Sequence, residues 1–386
     1  MKSLLSKIKN LIVTIFRIDN LMSSISPLYF TSRVLGMPPI SLEEGSNVSD
    51  TCFNLVYGFT TGSFIIFLCL RHLYDYWYHV YNVHTKNYII SDMCSKILLY
   101  GTAALSVFKS NLYRKLFSDL MKKVLVVDRK LVRNNKVYFY MYWILMFQLL
   151  ASSAMILGTY KLIDYAWGSN GNIFFLYEAS VHIIGLIFLL QFVNMLLYIR
   201  YLYKTLNKKL YSFVQVDSEE LTHEKTRHFL IVYKELQEIL ELVSSYFSWQ
   251  IVCETSSLFI QLVSSEYATV HEIRLFFVCS YSCFVHYFRI LTQVLLFVYY
   301  SSVLLAICVS GHICTRECNT TLNVIHKLLL NSKIEEEICK ELHGFTMYYY
   351  MHRIQITANN IFPIDMTLFQ MVNSVVFVYL AILLEI

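Results

Sequence analysis

Charge and helix-breaking residues are both scarce in this sequence. Only 15% of its 386 residues are Asp, Glu, Lys or Arg, and it has four prolines and eleven glycines. Such a chain leaves long helices uninterrupted, because proline removes a backbone donor and glycine loses the most freedom on ordering. With 56% hydrophobic residues and a mean hydropathy of +0.49, it has more apolar surface than one soluble domain can hide. The lysines and arginines are dispersed among apolar segments rather than gathered on one face, which argues against a nucleic-acid partner. Enzyme motifs are missing too: no Gly-rich phosphate loop, no Gly-x-Ser-x-Gly elbow, no His-Glu-x-x-His and no paired Asp-rich metal–diphosphate motif. The chain is therefore not expected to be an enzyme or to carry a cofactor. His312, Cys314 and Cys318 have zinc-like spacing but lack a fourth ligand, so buried thiols are the simpler reading and no metal is expected.

What the chain has is long apolar stretches. Seven read as all-α membrane spans. Thr51–Leu70, Val137–Tyr160 and Ala179–Ile199 contain no charge. Tyr88–Phe108 carries Asp92 and Lys96, spaced i, i+4 so that they can neutralise one another. Leu242–Ser265 contains Glu254. Leu275–His312 is 38 residues long with only Arg289 inside, nearly twice a crossing, and predicts a helix that continues beyond the bilayer. The last runs from Pro363 to Ile386, with 19 uncharged residues between Asp365 and Glu385.

Positive residues divide unevenly between alternate connections. Residues 1–50, 109–136, 200–241 and 313–364 hold 26 of the 32 lysines and arginines, and the opposite loops hold four. The positive-inside rule then predicts a cytoplasmic N-terminus and an extracellular C-terminus. The sequons at Asn47 and Asn319 fall on the cytoplasmic side and are expected to stay unused. No cysteine falls in the short outer loops, so no structural disulfide is expected. The N-terminus has no cleavable signal pattern and reads as an amphipathic helix lying on the inner leaflet. Leu236, Ile239, Leu240 and Val243, and again Leu322, Ile325, Leu328 and Leu329, repeat at helical spacing. Such stripes bury one face, so the inner ends of spans four to six are expected to project as a helical bundle. No internal repeat is apparent, which disfavours a transporter built from inverted halves.

Two short motifs carry a resemblance. One is Pro27-Leu28-Tyr29-Phe30-Thr31-Ser32-Arg33-Val34-Leu35-Gly36, and the other is Ile356-Thr357-Ala358-Asn359-Asn360-Ile361-Phe362-Pro363-Ile364-Asp365. Tyr379 and the five hydrophobics Leu380–Leu384 follow, with Val378, Glu385 and Ile386 flanking them. These resemble the stretch before the first span, the approach to the last span and the terminal motif of insect gustatory receptors. That family's terminal motif is Thr-Tyr, five hydrophobics, then Gln-Phe. Val378, Glu385 and Ile386 therefore depart from it, while Tyr379, Leu380 and Leu384 keep to it. The motifs cover about a tenth of the chain, and span number and inverted topology agree along its length.

The resemblance implies a ligand-gated cation channel assembled as a tetramer, homomeric or mixed with other gustatory receptors, in the plasma membrane of chemosensory neurons. It also implies a small-molecule tastant as partner, a central cytoplasmic anchor and a pore lined by each subunit's last helix. On that helix Met371, Ser374, Val378, Ala381 and Glu385 recur at alternating three- and four-residue steps and form one face. That face is either the pore lining or a packing surface against spans five and six. Pro363 suits a helix's first turn, so a separate short helix is expected at about Leu342–Ala358. The family's ligand pocket lies in the outer half of the helices, where this chain offers Gln148, Ser152, Tyr177, Glu178, His182, Ser257, Gln261, Tyr281, His286 and Tyr287. Tyr177, Glu178, His182, Gln261, Tyr281 and Tyr287 are the candidates for ligand contact, although each could equally make an interhelical hydrogen bond. Glu178 and His182, at i, i+4, could satisfy one another.

The expected organisation is a cytoplasmic segment 1–50, spans one to six with their extensions over 51–312, anchor helices over 313–362 and a pore helix over 363–386. An odorant receptor subunit of the same architecture is the near alternative. A G-protein-coupled receptor or transporter is the distant one; against the former stand the inverted orientation and the lack of Asn-Pro-x-x-Tyr in span seven.

Overall fold

The structure is a computed structural model that describes residues 21–35, 51–80, 86–132, 136–167, 172–215, 223–278, 283–330, 336–351 and 354–385. It is almost wholly helical. In chain order the helices are α1 (Leu21–Val34), α2 (Thr51–Val80), α3 (Lys86–Leu112), α4 (Arg114–Leu131), α5 (Lys136–Trp167), α6 (Asn172–Gln215), α7 (His223–Val278), α8 (Cys283–Leu329) and α9 (Glu336–Met351). A two-stranded hairpin, β1 (Thr357–Ala358) and β2 (Phe362–Pro363), leads into α10 (Met366–Glu385). The N-terminal 20 residues, and the inner-leaflet helix expected there, lie outside the described residues, as do Asn47 and Tyr281.

The seven expected spans fall on α2, α3, α5, α6, α7, α8 and α10. Among the described residues, three stretches are long and apolar enough to cross a membrane: Val137–Leu162, Glu178–Phe213 and Val285–Leu329. Val56–Arg71 and Met366–Ile382 are shorter apolar stretches. The two expected spans that appear in neither set, on α3 and α7, both carry an acid inside, Asp92 and Glu254. Both pack against other helices, α3 against α2 and α7, and α7 against α8.

α7 and α8 have 56 and 47 residues. At 1.5 Å per residue they are about 84 and 70 Å long, more than twice a hydrocarbon core of about 30 Å. Their extra turns join α6, α4 and α9 in a bundle built as the stripes predict. Leu236, Ile239, Leu240 and Val243 of α7 and Ile325 and Leu328 of α8 are buried, with Ile338, Leu342 and Tyr349 of α9. The Tyr233 ring packs among Phe345, Tyr203 and Tyr349 at centroid distances of 5.0, 5.6 and 6.0 Å. The amphipathic α4 buries Leu120, Met121, Val124, Val127 and Leu131. Its outer rim is tied to α7 by Lys130–Glu235 and Lys123–Glu238 ion pairs of 2.6 and 2.7 Å. Asp128 turns inward and accepts hydrogen bonds from the hydroxyls of Tyr138 and Tyr198.

The approach to the last helix differs from the sequence reading. The short helix runs Glu336–Met351, not Leu342–Ala358. Glu336 and Glu337 suit its first turn, where the helix dipole favours negative charge. From Ile354 to Ala358 burial alternates, with Ile354, Ile356 and Ala358 inside, which is a strand period rather than a helical one. Asn359 and Asn360 then take φ values of 51° and 58°, a left-handed backbone that asparagine tolerates and that cannot continue a right-handed helix. Pro363 accordingly sits in β2, opposite Thr357, and the last helix starts three residues later.

Candidate functional site

The last helix is fixed at its start by its own sequence. Asp365 caps α10: its Oδ1 accepts the backbone N–H of Thr367 at 2.9 Å and of Leu368 at 3.4 Å, and the Thr367 hydroxyl as well. Upstream, Ile364 N–H donates to Ile356 O at 2.9 Å and closes the hairpin. β1 packs on α7, and the backbone just after the hairpin comes close against α8 because residue 311 is glycine. A Cβ there would come within 2.2 Å of the Ile364 carbonyl oxygen.

α10 rests on α7 and α8 by one side, with Leu368 and Val376 buried. The opposite side has no cover among the described residues. Met371 is 66% and Val378 60% exposed, and Ser374 and Ala381 are exposed with them. Four of the five residues placed on one face by spacing thus share an open face. Glu385 ends the helix; its side chain, those of Leu384 and Ile386, and all of Ile386 lie outside the description, while Tyr379 is exposed and Leu380 half-buried.

A second site lies among the apolar helices. His182 of α6 is buried between the rings of Tyr160 of α5 and Tyr300 of α8, at centroid distances of 5.6 and 5.8 Å. Its Nε2 lies 3.5 Å from the Tyr300 hydroxyl, so its hydrogen-bonding contact is that tyrosine rather than Glu178. Glu178 is half-buried one turn away, within electrostatic reach of His182, Tyr100 and Tyr160. One turn further along the same face comes Gly185. A Cβ there would stand 3.2 Å from Oε1 of Glu254, which reaches across from α7. Glu254 is only 5% exposed, and this oxygen has no hydrogen-bond partner among the described residues.

The other candidates separate. Gln261 is buried but bonds Ser257 on its own helix at 3.1 Å. Gln148 accepts from Asn194 at 3.0 Å. Tyr287 is 58% exposed and faces away from the interior, while its neighbour His286 turns inward. Tyr177 lies on α6 with its side chain outside the description, and Tyr281 lies outside the described residues altogether. His286 Nδ1 meets Glu272 Oε2 at 2.7 Å, and Arg289 Nη1 approaches the other oxygen of Glu272 at 3.6 Å. Arg289, the single charge in the sixth apolar stretch, therefore has a buried acid to pair with.

Tyr160, Tyr300 and Glu272 escaped the sequence reading. They lie on different helices, and no short-range spacing links them. Glu254 did carry a signal, as the lone acid in an apolar stretch. His312 and the two nearby cysteines do not converge: His312 is exposed toward the hairpin, while Cys314 and Cys318 are buried, Cys318 beside Tyr203. Among the described residues no group of three His, Cys, Asp or Glu is placed to hold a metal.

Comparison with known proteins agrees with this architecture. A family model described as 7tm chemosensory receptor matches residues 25–386. Two solved structures of the insect olfactory receptor OR5 from Machilis hrabei are similar in fold. The one in complex with eugenol superposes with a TM-score of 0.68 at 14% identity, covering 95% of this chain and 98% of that one. The other gives 0.67 at 13% identity, covering 94% and 97%. No curated protein matches the sequence.

Proposed function

Since the chain belongs to the 7tm chemosensory receptor family, we propose that it is a gustatory receptor: a tastant-gated, non-selective cation channel of the plasma membrane of chemosensory neurons. The observation that carries the reading is the open face of α10. A helix packed on its protomer by Leu368 and Val376 leaves Met371, Ser374, Val378 and Ala381 uncovered. Four such helices around an axis would turn those faces toward a shared water-filled path, with Glu385 at its end. Homomeric and mixed tetramers both satisfy that geometry. The N-terminal 50 residues and the anchor helices over 313–362 are assigned to the cytoplasm, and 363–386 to the pore, on the strength of the 26-to-four division of positive residues.

The tastant is assigned to the cluster around His182. Aromatic walls from Tyr160 and Tyr300, with a few convergent polar groups, are what a small-molecule pocket requires. The Glu254 oxygen, unpartnered among the described residues, offers a ligand an acceptor. Tyr177, Glu178, Gln261 and Tyr281 are retained as possible pocket walls, and Tyr287 as a rim residue.

The likeness in fold to an olfactory receptor favours a second reading, an odorant receptor channel subunit. One experiment separates the two. Cells expressing the chain are recorded during application of tastant and odorant panels, with Ser374→Cys and Ala381→Cys variants exposed to a charged thiol reagent. A tastant-evoked cation current that the reagent blocks in both variants is the expected result. Currents evoked only by odorants would favour the second reading, and currents untouched by the reagent would remove this face from the conduction path.

A further inference from the structure

Away from the His182 cluster, a groove of about 480 Å³ runs between α8 and the hairpin that starts the last helix. Its α8 wall carries His312, Arg316, Asn319 and Asn323, and its other wall ends in Asp365. The wall is rich in donors, and local bonding turns them the right way. Tyr349 donates its hydroxyl proton to Asn319 Oδ1, so the amide presents its NH₂ end for other partners. Arg316 makes no ion pair among the described residues. Asp365, the one acid among the described residues lining the groove, already spends an oxygen capping α10.

The groove also sits at a defined depth. No charged residue occurs between Arg289 and Arg316, a run of 26. On a helix this is about 39 Å, one hydrocarbon core and its margins. Arg316 is therefore the first charge where α8 leaves the apolar layer. Asp365 is the last charge before the terminal apolar stretch. Both residues line the same groove, where these two uncharged runs end.

We propose that this groove is a site for a phosphate-bearing anion, held by Arg316, His312, Asn319 and Asn323, and that the phosphorylated headgroup of a lipid is its source. A guanidinium with neighbouring amide and imidazole donors suits a phosphate group, and the volume falls within the range of ligand pockets. An occupant would bridge α8 to the segment that sets the start of α10, and so bias the last helix without touching the tastant site. Assigning the lipid to the inner leaflet rests on the orientation proposed above; the site itself does not.

The test uses the full-length protein in phosphatidylcholine nanodiscs with and without a phosphoinositide. Retained lipid is measured by native mass spectrometry, and soluble inositol bisphosphate is titrated in a parallel arm. Phosphoinositide should be retained over phosphatidylcholine. Arg316→Gln should lower retention about tenfold, the loss of one charge-assisted contact. Asp365→Asn keeps a capping side chain and removes the opposing charge, so it should raise retention. This gain is not expected if Arg316 only supports the fold. Competition by the soluble anion, with lipid retained, supports the headgroup as source; soluble binding without lipid retention supports the anion site and overturns the lipid source. Equal retention in wild type and both variants overturns the site. Orientation is read separately, by applying the soluble anion to either face of excised patches. An effect from the outer face alone would fail the orientation and leave the binding result standing.

Discussion

At the scale of single residues, close approach decides more than chemistry does. Gly311 and Ile364 meet backbone to backbone, and a methyl group at 311 would stand 2.2 Å from the Ile364 oxygen. Backbone cannot swing aside as a long side chain can, so the hairpin itself would have to move. Gly311→Ala is expected to lower stability by about 1–3 kcal/mol, the usual range for overpacking, and to displace the start of α10. The purified variant should melt earlier than wild type and give smaller evoked currents. Gly101→Ala is the control: nothing lies within 4 Å of a Cβ there, and alanine favours the helix by up to about 1 kcal/mol. Equal melting points for wild type and Gly311→Ala would mean that the hairpin does not depend on that contact. Glu272 belongs to the same scale. Removing a buried acid that meets both His286 and Arg289 breaks a buried ion pair, a change that commonly costs about 3–5 kcal/mol. Glu272→Ala should therefore fail to reach the cell surface in normal amount, whereas Glu272→Asp should retain part of it.

At the scale of elements, period and length were legible in the sequence and chain reversal was not. The stripes of α7 and α8 became buried faces, and the overlong sixth stretch became a helix of 47 residues. The short helix before the last span was misplaced, because Asn359 and Asn360 show their left-handed backbone only once the hairpin has formed. The last helix carries the prediction of this scale. Glu385 stands at its end, where the resembled family has glutamine. In a tetramer it would form a ring of four carboxylates, which concentrates cations and retains divalent ions longer than a ring of amides does. Glu385→Gln should weaken block by external divalent cations several-fold and leave the tastant dose–response in place. Identical block in the two channels would set Glu385 off the conduction path.

For the whole molecule the governing quantity is the distribution of positive charge. On the orientation proposed from the division of 26 to four, Asn47 and Asn319 are expected never to meet the glycosylation machinery of the lumen. Asn319 is further committed as the acceptor of the Tyr349 hydroxyl within the helical bundle. Glycosidase treatment should leave the protein's mass unchanged. A shift abolished by Asn47→Gln would reverse the orientation, and with it the assignment of the bundle to the cytoplasm.

Composition, run length and periodicity determined from the sequence alone that this chain is a multi-span helical membrane protein whose longest helices pack into a bundle. These properties are summed over many residues, so a single misread position cannot change them. The two terminal motifs also identified the family without a structure. The tertiary structure alone decided the sites. The meeting of His182 with Tyr160 and Tyr300, of Glu254 with Gly185, of Glu272 with His286 and Arg289, and of Arg316 with the segment holding Asp365 joins different helices or the hairpin. Such encounters depend on how helices are rotated and staggered against one another. Helical periodicity specifies which face of each helix is apolar, and only packing against neighbours specifies what that face meets.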